Sequence, residues 1–346
     1  MCISVLLNSS LPGEKLPFTL KDVRAAIPAH CFVPSVTRSL SYFFWDTFVI
    51  VSLAGLAYWL NAWWFYPIYW IAQGTMLWAL FVVGHDCGHG SFSPYPWLNS
   101  LIGHLSHIPI LVPYHGWRIS HRTHHANTGN IETDESWYPV TEAKYQAMPW
   151  YEKLFRFYLP LLAFPIYLVM RSPGRQGSHF LPNSPIFRPS EKWDVLTSSG
   201  LWLLMAAFWA FMTYTHGWWM VKLYWMPYLG FVIWLDLVTY LHHTEADIPW
   251  YPNEDWYFLK GAISTIDRDY GIINKIHHNI GTHVAHHIFL TIPHYHLLEA
   301  TEAIKPVLGE YYRSSTEPIW QSFVNSYRNC HFVPNEGKKL FYQKAE

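Results

Sequence analysis

The feature that most restricts this chain is the placement of its apolar residues in two closely spaced pairs of long runs. Tyr42–Leu60 is nineteen residues with one charge, Asp46, and Trp63–Val83 is twenty-one residues with none. A second pair, Leu196–Thr215 and Trp218–Leu241, is joined through His216 and Gly217. A helix needs about 20 apolar residues to cross a hydrocarbon core, so each pair reads as a spanning hairpin. A soluble core could bury one such hairpin, but two successive pairs at span length argue against it. The mean hydropathy of +0.04 conceals this segregation.

Two shorter apolar stretches fit a span less well. Leu98–Val112 contains His104 and His107, and Leu154–Met170 carries Arg156, Pro160 and Pro165. Both read as interfacial or buried cap segments. Of the 23 Lys and Arg residues, only Lys222 lies within the hairpins. Under the positive-inside rule both hairpin turns then face away from the cytoplasm. The expected architecture is an all-α membrane protein with four transmembrane helices and a cytoplasmic helical cap. Residues 1–41 form an N-terminal segment, 42–312 the membrane domain and 313–346 a cytoplasmic tail. The start of the chain reads as neither a signal peptide nor an Arg-rich transit segment.

Composition removes other classes. A net charge of −1 with so few cations does not suit a nucleic-acid binder. Cys2, Cys31, Cys87 and Cys330 show no CxxC spacing, so neither a disulfide framework nor a zinc ribbon is indicated.

The 21 histidines are the unusual count, and they cluster. His85 and His89 follow the second run; His121, His124 and His125 form a second group; His283, His286 and His287 form a third. Spacings of three and four residues put imidazoles on one face of a helix. Thr282 is the expected N-cap of the third helix, and Pro293 limits it beyond. The groups share one side of the membrane only if Leu154–Met170 does not span. Eight histidines exceed the four ligands of one tetrahedral zinc and suit two ions that prefer six ligands. The sequence lacks HExxH, which argues against a zinc protease. Neutral imidazoles leave the metal charge uncompensated, so carboxylates are expected behind them. Asp86, Glu132, Asp134, Glu135, Asp267 and Asp269 are the candidates, with Asp236 added as an acid inside a span. A metal transporter is the alternative class, but it would place its ligands near the midplane of its spans.

The three boxes resemble those of the membrane fatty acid desaturases. The flanks HDCGHGSFS (His85–Ser93), VPYHGWRISHRTHH (Val112–His125) and Asp134–Trp137 are similar to the omega-3 acyl-lipid branch. So are TIDRDYG (Thr265–Gly271), HHNIGTHVAHH (His277–His287) and IPHYHLLEAT (Ile292–Thr301). Ala285 departs from that branch toward the delta-12 desaturases, which, with related acyl hydroxylases, are the nearest alternative activity.

The resemblance implies two irons held by the box histidines and one more from Leu241–Thr244. His243 is favoured over His242, because similar sequences keep the second position. It further implies O₂ as co-substrate and no catalytic residue apart from the metal ligands. The substrate would be a linoleoyl chain in a membrane glycerolipid, entering an apolar tunnel lined by the Trp63–Val83 span and leaving as alpha-linolenoyl. The electron donor would be a separate protein, a ferredoxin in a cyanobacterial thylakoid or plasma membrane, or cytochrome b5 in a eukaryotic endoplasmic reticulum. His278, His294 and His296 flank the third box and His104, His107 and His115 lie near the second. His278 is kept as a candidate behind the ligands. His30, His179, His216 and His331 read as incidental.

Overall fold

The computed structural model describes residues 15–171 and 176–345. A short helix, α1 (Leu20–Ala26), precedes α2 (Val36–Leu60) and α3 (Tyr66–His89). Next come α4 (Pro96–His107) and α5 (Tyr114–Asn127). The second long pair is α6 (Lys192–His216) and α7 (Trp218–His243). The third histidine group lies on α8 (His283–Ile288), followed by α9 (Leu297–Leu308). Four helices among the described residues are long and apolar enough to cross a membrane, and they are α2, α3, α6 and α7.

The helices outrun their apolar windows at the histidine end. Gly84–His89 holds no proline, and burial of Gly84–Cys87 carries α3 past Val83 through Gly84 and Gly88 until Gly90 closes it in the left-handed region at φ 74°. Likewise α7 continues through His242 and His243. Thus the first box and His243 stand on the last turns of two long apolar helices rather than on loops beyond them.

Burial separates inner from outer helices. In its most apolar window α3 is 67% buried and α6 only 11%, so α3 is central and α6 peripheral. The outer faces expose Phe44, Trp45, Phe48, Val51, Leu203, Leu204, Phe208 and Phe211. A continuous apolar exterior of this kind is suited to lipid. At the centre α3 and α7 pack through Trp78, Phe81, Phe231 and Leu235. They approach backbone to backbone where Gly74 faces Gly230, and a Cβ on Gly74 would lie 2.9 Å from the Gly230 Cα. At 1.5 Å per residue, His85 and His243 lie about 17–20 Å beyond this crossing along their helices. The glycine pair therefore sets the relative height of the two histidine-bearing ends.

The shorter apolar stretches lie against this core. α4 packs on α3 through Leu98 and Ile102, and the turn after it reaches inward, where the Pro109 carbonyl accepts from Trp209 Nε1 and Tyr224 Oη. Leu154–Met170 is broken by Pro160 into short pieces, the longest a seven-residue helix, Phe164–Met170. That helix is about 10 Å long and cannot cross a bilayer. The terminal part of the chain is tied to the cap. Ser314–Ser315 pairs in parallel with Asp267–Arg268, and Phe323 packs on Tyr240 and Leu241.

Gly74→Val should force α3 from α7, a clash costing about 1–3 kcal/mol. A fall in Tm together with lost metal binding is the expected outcome in detergent. Gly55→Ala, whose Cβ would meet nothing within 4 Å, should leave both unchanged.

Candidate metal centre

Nine imidazoles from four parts of the chain meet at one end of the long helices. His85, His89, His121, His125 and His286 form one group, with donor atoms within 4.8 Å of one another. His124, His243 and His287 form a second group by the same measure. His283 joins the second group, its Nε2 lying 3.0 Å from His243 Nε2 and 2.9 Å from His287 Nε2. The groups adjoin through His125 and His287, whose ring centroids are 4.1 Å apart. Contact between His124, before Leu154–Met170, and His287, after it, requires that this stretch not cross the membrane.

The same ring atom faces inward repeatedly. Nε2–Nε2 distances are 3.2 Å for His85–His89, 3.0 Å for His121–His125, 3.3 Å for His125–His286 and 3.3 Å for His124–His243. Each nitrogen of a neutral imidazole is either a donor or an acceptor, so Nε2 atoms that face two others, as in His125, His243 and His283, are poorly matched by protons alone. Burial, reinforced by neighbouring rings, lowers the pKa of His121, His125, His283, His286 and His287. The rings are thus held neutral, the form that ligates metals. The outward Nδ1 atoms of His125, His243 and His283 are buried without a protein partner. This donor set fits two cations bound through nitrogen.

Behind the rings, carboxylates orient selected members. Asp134, fully buried, accepts from His124 Nδ1 at 2.6 Å and from the backbone N–H groups of Gly129 and Ser136. This bond aims the lone pair of His124 Nε2 at the second group. Thr128 Oγ1 meets His287 Nδ1 at 3.1 Å. Asp86 lies beside His85 and accepts from both the backbone N–H and Nδ1 of His294. Trp117 stacks on His121.

Other candidates occupy different places. The α8 N-terminus is capped by Asp267, which accepts from Val284 N at 2.7 Å and from Tyr312 Oη at 2.7 Å. Thr282, the expected cap, instead donates to the Asn279 carbonyl. Asp269 faces outward and accepts from Gly271 N and Asn274 Nδ2, two residues of its own turn, which keeps it from the rings. Glu132 accepts from Asn253 N, and Glu135 forms a buried pair with Arg171. Asp236 accepts from Phe164 N at 3.1 Å, so it anchors Phe164–Met170 and touches no box histidine through a hydrogen bond. His278 pairs with Asp46 at 2.7 Å and packs against His294, one step removed from Asp86.

His242 is set apart from His243. Its Nδ1 donates to the Ile266 carbonyl and its Nε2 meets Tyr270 Oη, so both nitrogens are engaged. His104 and His115 are bound through Ser100, and His107 stacks on Phe81 with Nε2 at that residue's carbonyl. Asp46 stood out as the one charge in its run and His294 as a neighbour of the third box, but neither their partners nor that of Thr128 could be read from the sequence, because these lie 159 to 232 residues away.

An apolar cavity of about 500 Å³ opens on both groups. Trp78, Phe81, Val82, Phe164, Leu235 and Val238 line it, and His85, His121, His124, His243 and His283 are exposed along its wall. Its mostly apolar walls suit an acyl chain lying beside the rings.

Comparison with known proteins gives the family of the chain. A Synechocystis sp. protein named sn-1 acyl-lipid omega-3 desaturase (ferredoxin) is 68% identical, over 95% of this chain and 92% of its own length. A Nostoc sp. protein of the same name is 66% identical, over 97% and 94%. An Arabidopsis thaliana sn-2 acyl-lipid omega-3 desaturase (ferredoxin), chloroplastic, is 53% identical, over 96% and 77%. The model of a domain of unknown function matches residues 8–55, and that described as fatty acid desaturase matches residues 32–318. The chain belongs to the fatty acid desaturase family.

Proposed function

We propose that this chain is an O₂-dependent acyl-lipid desaturase that introduces a cis double bond at the omega-3 position of linoleoyl chains, giving alpha-linolenoyl chains. The observation that carries the reading is the convergence of nine imidazoles on one end of an apolar cavity. Two irons would be held by His85, His89, His121, His125 and His286 in one group and by His124, His243, His283 and His287 in the other. When bound, iron supplies the O₂-dependent oxidising power that side chains lack toward an unactivated methylene.

The chain's own residues do the rest. Asp134 holds His124 in the tautomer that leaves Nε2 free, and Asp86 tethers the first box to His294. The walls formed by Trp78, Phe81 and Phe164 exclude water and bind the acyl chain. One methylene is worth only about 1–3 kcal/mol of discrimination in an apolar pocket, so position along the acyl chain must be set by the cavity's length and bend. Selectivity for the sn-1 chain of a glycerolipid is supported by the names of the Synechocystis and Nostoc relatives. Those names also support a ferredoxin as electron donor. In this reading the histidine end faces the cytoplasm.

Fatty-acid profiling tests the activity directly. A desaturating host supplied with linoleate and a ferredoxin should accumulate alpha-linolenate; oleate converted to linoleate without any triene would refute the omega-3 position. His124→Ala and His286→Ala should each abolish iron binding and desaturation. His243→Ala should lose iron, whereas His242→Ala should retain it in elemental analysis. Asp134→Asn should lower iron affinity or turnover by about 10–100-fold while the protein remains folded. Ala163→Phe, which fills the cavity wall, should reduce turnover at unchanged iron content; undiminished desaturation would exclude that cavity as the substrate site.

A further inference from the structure

A second donor cluster lies outside the histidine centre. His30 and Cys31 sit on the 3₁₀ turn Ala29–Phe32 ahead of α2, and His296 and Glu299 at the entry to α9. His30 Nε2 is 2.9 Å from Glu299 Oε2 and 3.7 Å from Cys31 Sγ. His296 Nδ1 is 3.8 Å from the same Glu299 oxygen. One donor atom from each residue lies within 4.8 Å of all the others. The set is a thiol, two imidazoles and a carboxylate, drawn from two segments up to 269 residues apart in sequence.

Tetrahedral zinc, with Zn–S about 2.3 Å and Zn–N or Zn–O about 2.0 Å, needs donor–donor edges of about 3.3–3.6 Å. The observed separations straddle that range. An ordinary His30–Glu299 ion pair is the simpler account of two members, but their side chains are 58% and 48% exposed, where such pairs contribute little. It also leaves unexplained why Cys31, fully buried among Val23, Ile27 and Ala300, presents its sulfur to the same point. The exposed edges of His30 and Glu299 provide an entry path from solvent.

We propose that Cys31, His30, His296 and Glu299 bind one zinc ion, separate from the histidine centre. Coordination releases the Cys31 proton to solvent, and the thiolate and carboxylate balance the charge of the ion. The ion would clamp the segment before α2 onto α9. The same contact already carries a Ser35 N–H bond to Tyr295 Oη at 2.7 Å and the Arg38 guanidinium over the Tyr295 ring. Two residues before His296, His294 holds Asp86 beside the first box, so the clamp steadies that support from outside.

Cobalt(II) loading of the full chain in detergent tests the proposal. A sulfur ligand gives a thiolate-to-cobalt charge-transfer band in the near ultraviolet, which nine histidines cannot produce. The band should appear in the parent protein, vanish in Cys31→Ser and persist in Cys87→Ser. Elemental analysis of protein grown with zinc should find one zinc per chain in addition to iron, and Cys31→Ser should lose the zinc but keep the iron. Should Cys31→Ser fail to fold, the exposed substitutions Glu299→Gln and His30→Ala should each weaken the cobalt affinity read from the thiolate band at least about tenfold, no less than loss of an outer-shell partner costs a metal site. A parent protein without the band, a band that survives Cys31→Ser, or unchanged affinity in both exposed variants would overturn the site.

Discussion

The arrangement depends on one unsatisfied requirement: buried, neutral imidazoles turn their Nε2 atoms on one another. Such rings do not repel as charges, but a nitrogen that is either donor or acceptor is poorly matched where it meets two others. A cation resolves what protons cannot. The two groups adjoin through His125 and His287, so the centre is one continuous nest rather than two independent sites. Its members stand on the ends of α3 and α7 and on α5 and α8, and each of these elements must be held in place.

Two kinds of interaction do this. The Gly74–Gly230 contact brings two helical backbones close enough to share a register, which sets the heights of His85 and His243. Three buried carboxylates then join segments across the cap. Asp86 reaches His294, Asp134 ties His124 to the backbone at Gly129, and Asp267 caps α8. Each accepts at least one backbone N–H, so the groups that orient rings also fix chain segments. The apolar cavity adjoins the nest because α3 contributes both its wall and the first box.

Much of this was legible in the chain. Four apolar runs of span length identify the long helices, since lipid or core burial is the only favourable setting for so many adjacent apolar residues. Histidines at three- and four-residue spacing identify ligating faces for the same geometric reason. The limits of reading are equally physical. Hydropathy ends α3 at Val83, but helical hydrogen bonding continues to His89 because Gly84–Cys87 are buried and no proline intervenes before Gly90. Asp267 and Asp269 look alike in sequence, yet only Asp267 faces the N-terminus of α8. Thr282 precedes that helix as a cap should, and is displaced by a carboxylate from another segment. Asp46 reads as a stray charge in a span, but it is a buried partner of His278.

The sequence alone determined the four long apolar helices, the box histidines and the family resemblance, because length, period and local motif are properties of neighbouring residues. The resemblance favoured His243 over His242, and tertiary structure brings His243 into the nest while engaging both nitrogens of His242 elsewhere; tertiary structure alone decided that Asp236 anchors a cavity wall. It also gathered Cys31 with His30, His296 and Glu299, a donor set that local cysteine spacing does not encode. Each of these is a meeting of segments far apart in the chain, and no local pattern reports which distant group will fill a given hydrogen bond or coordination position.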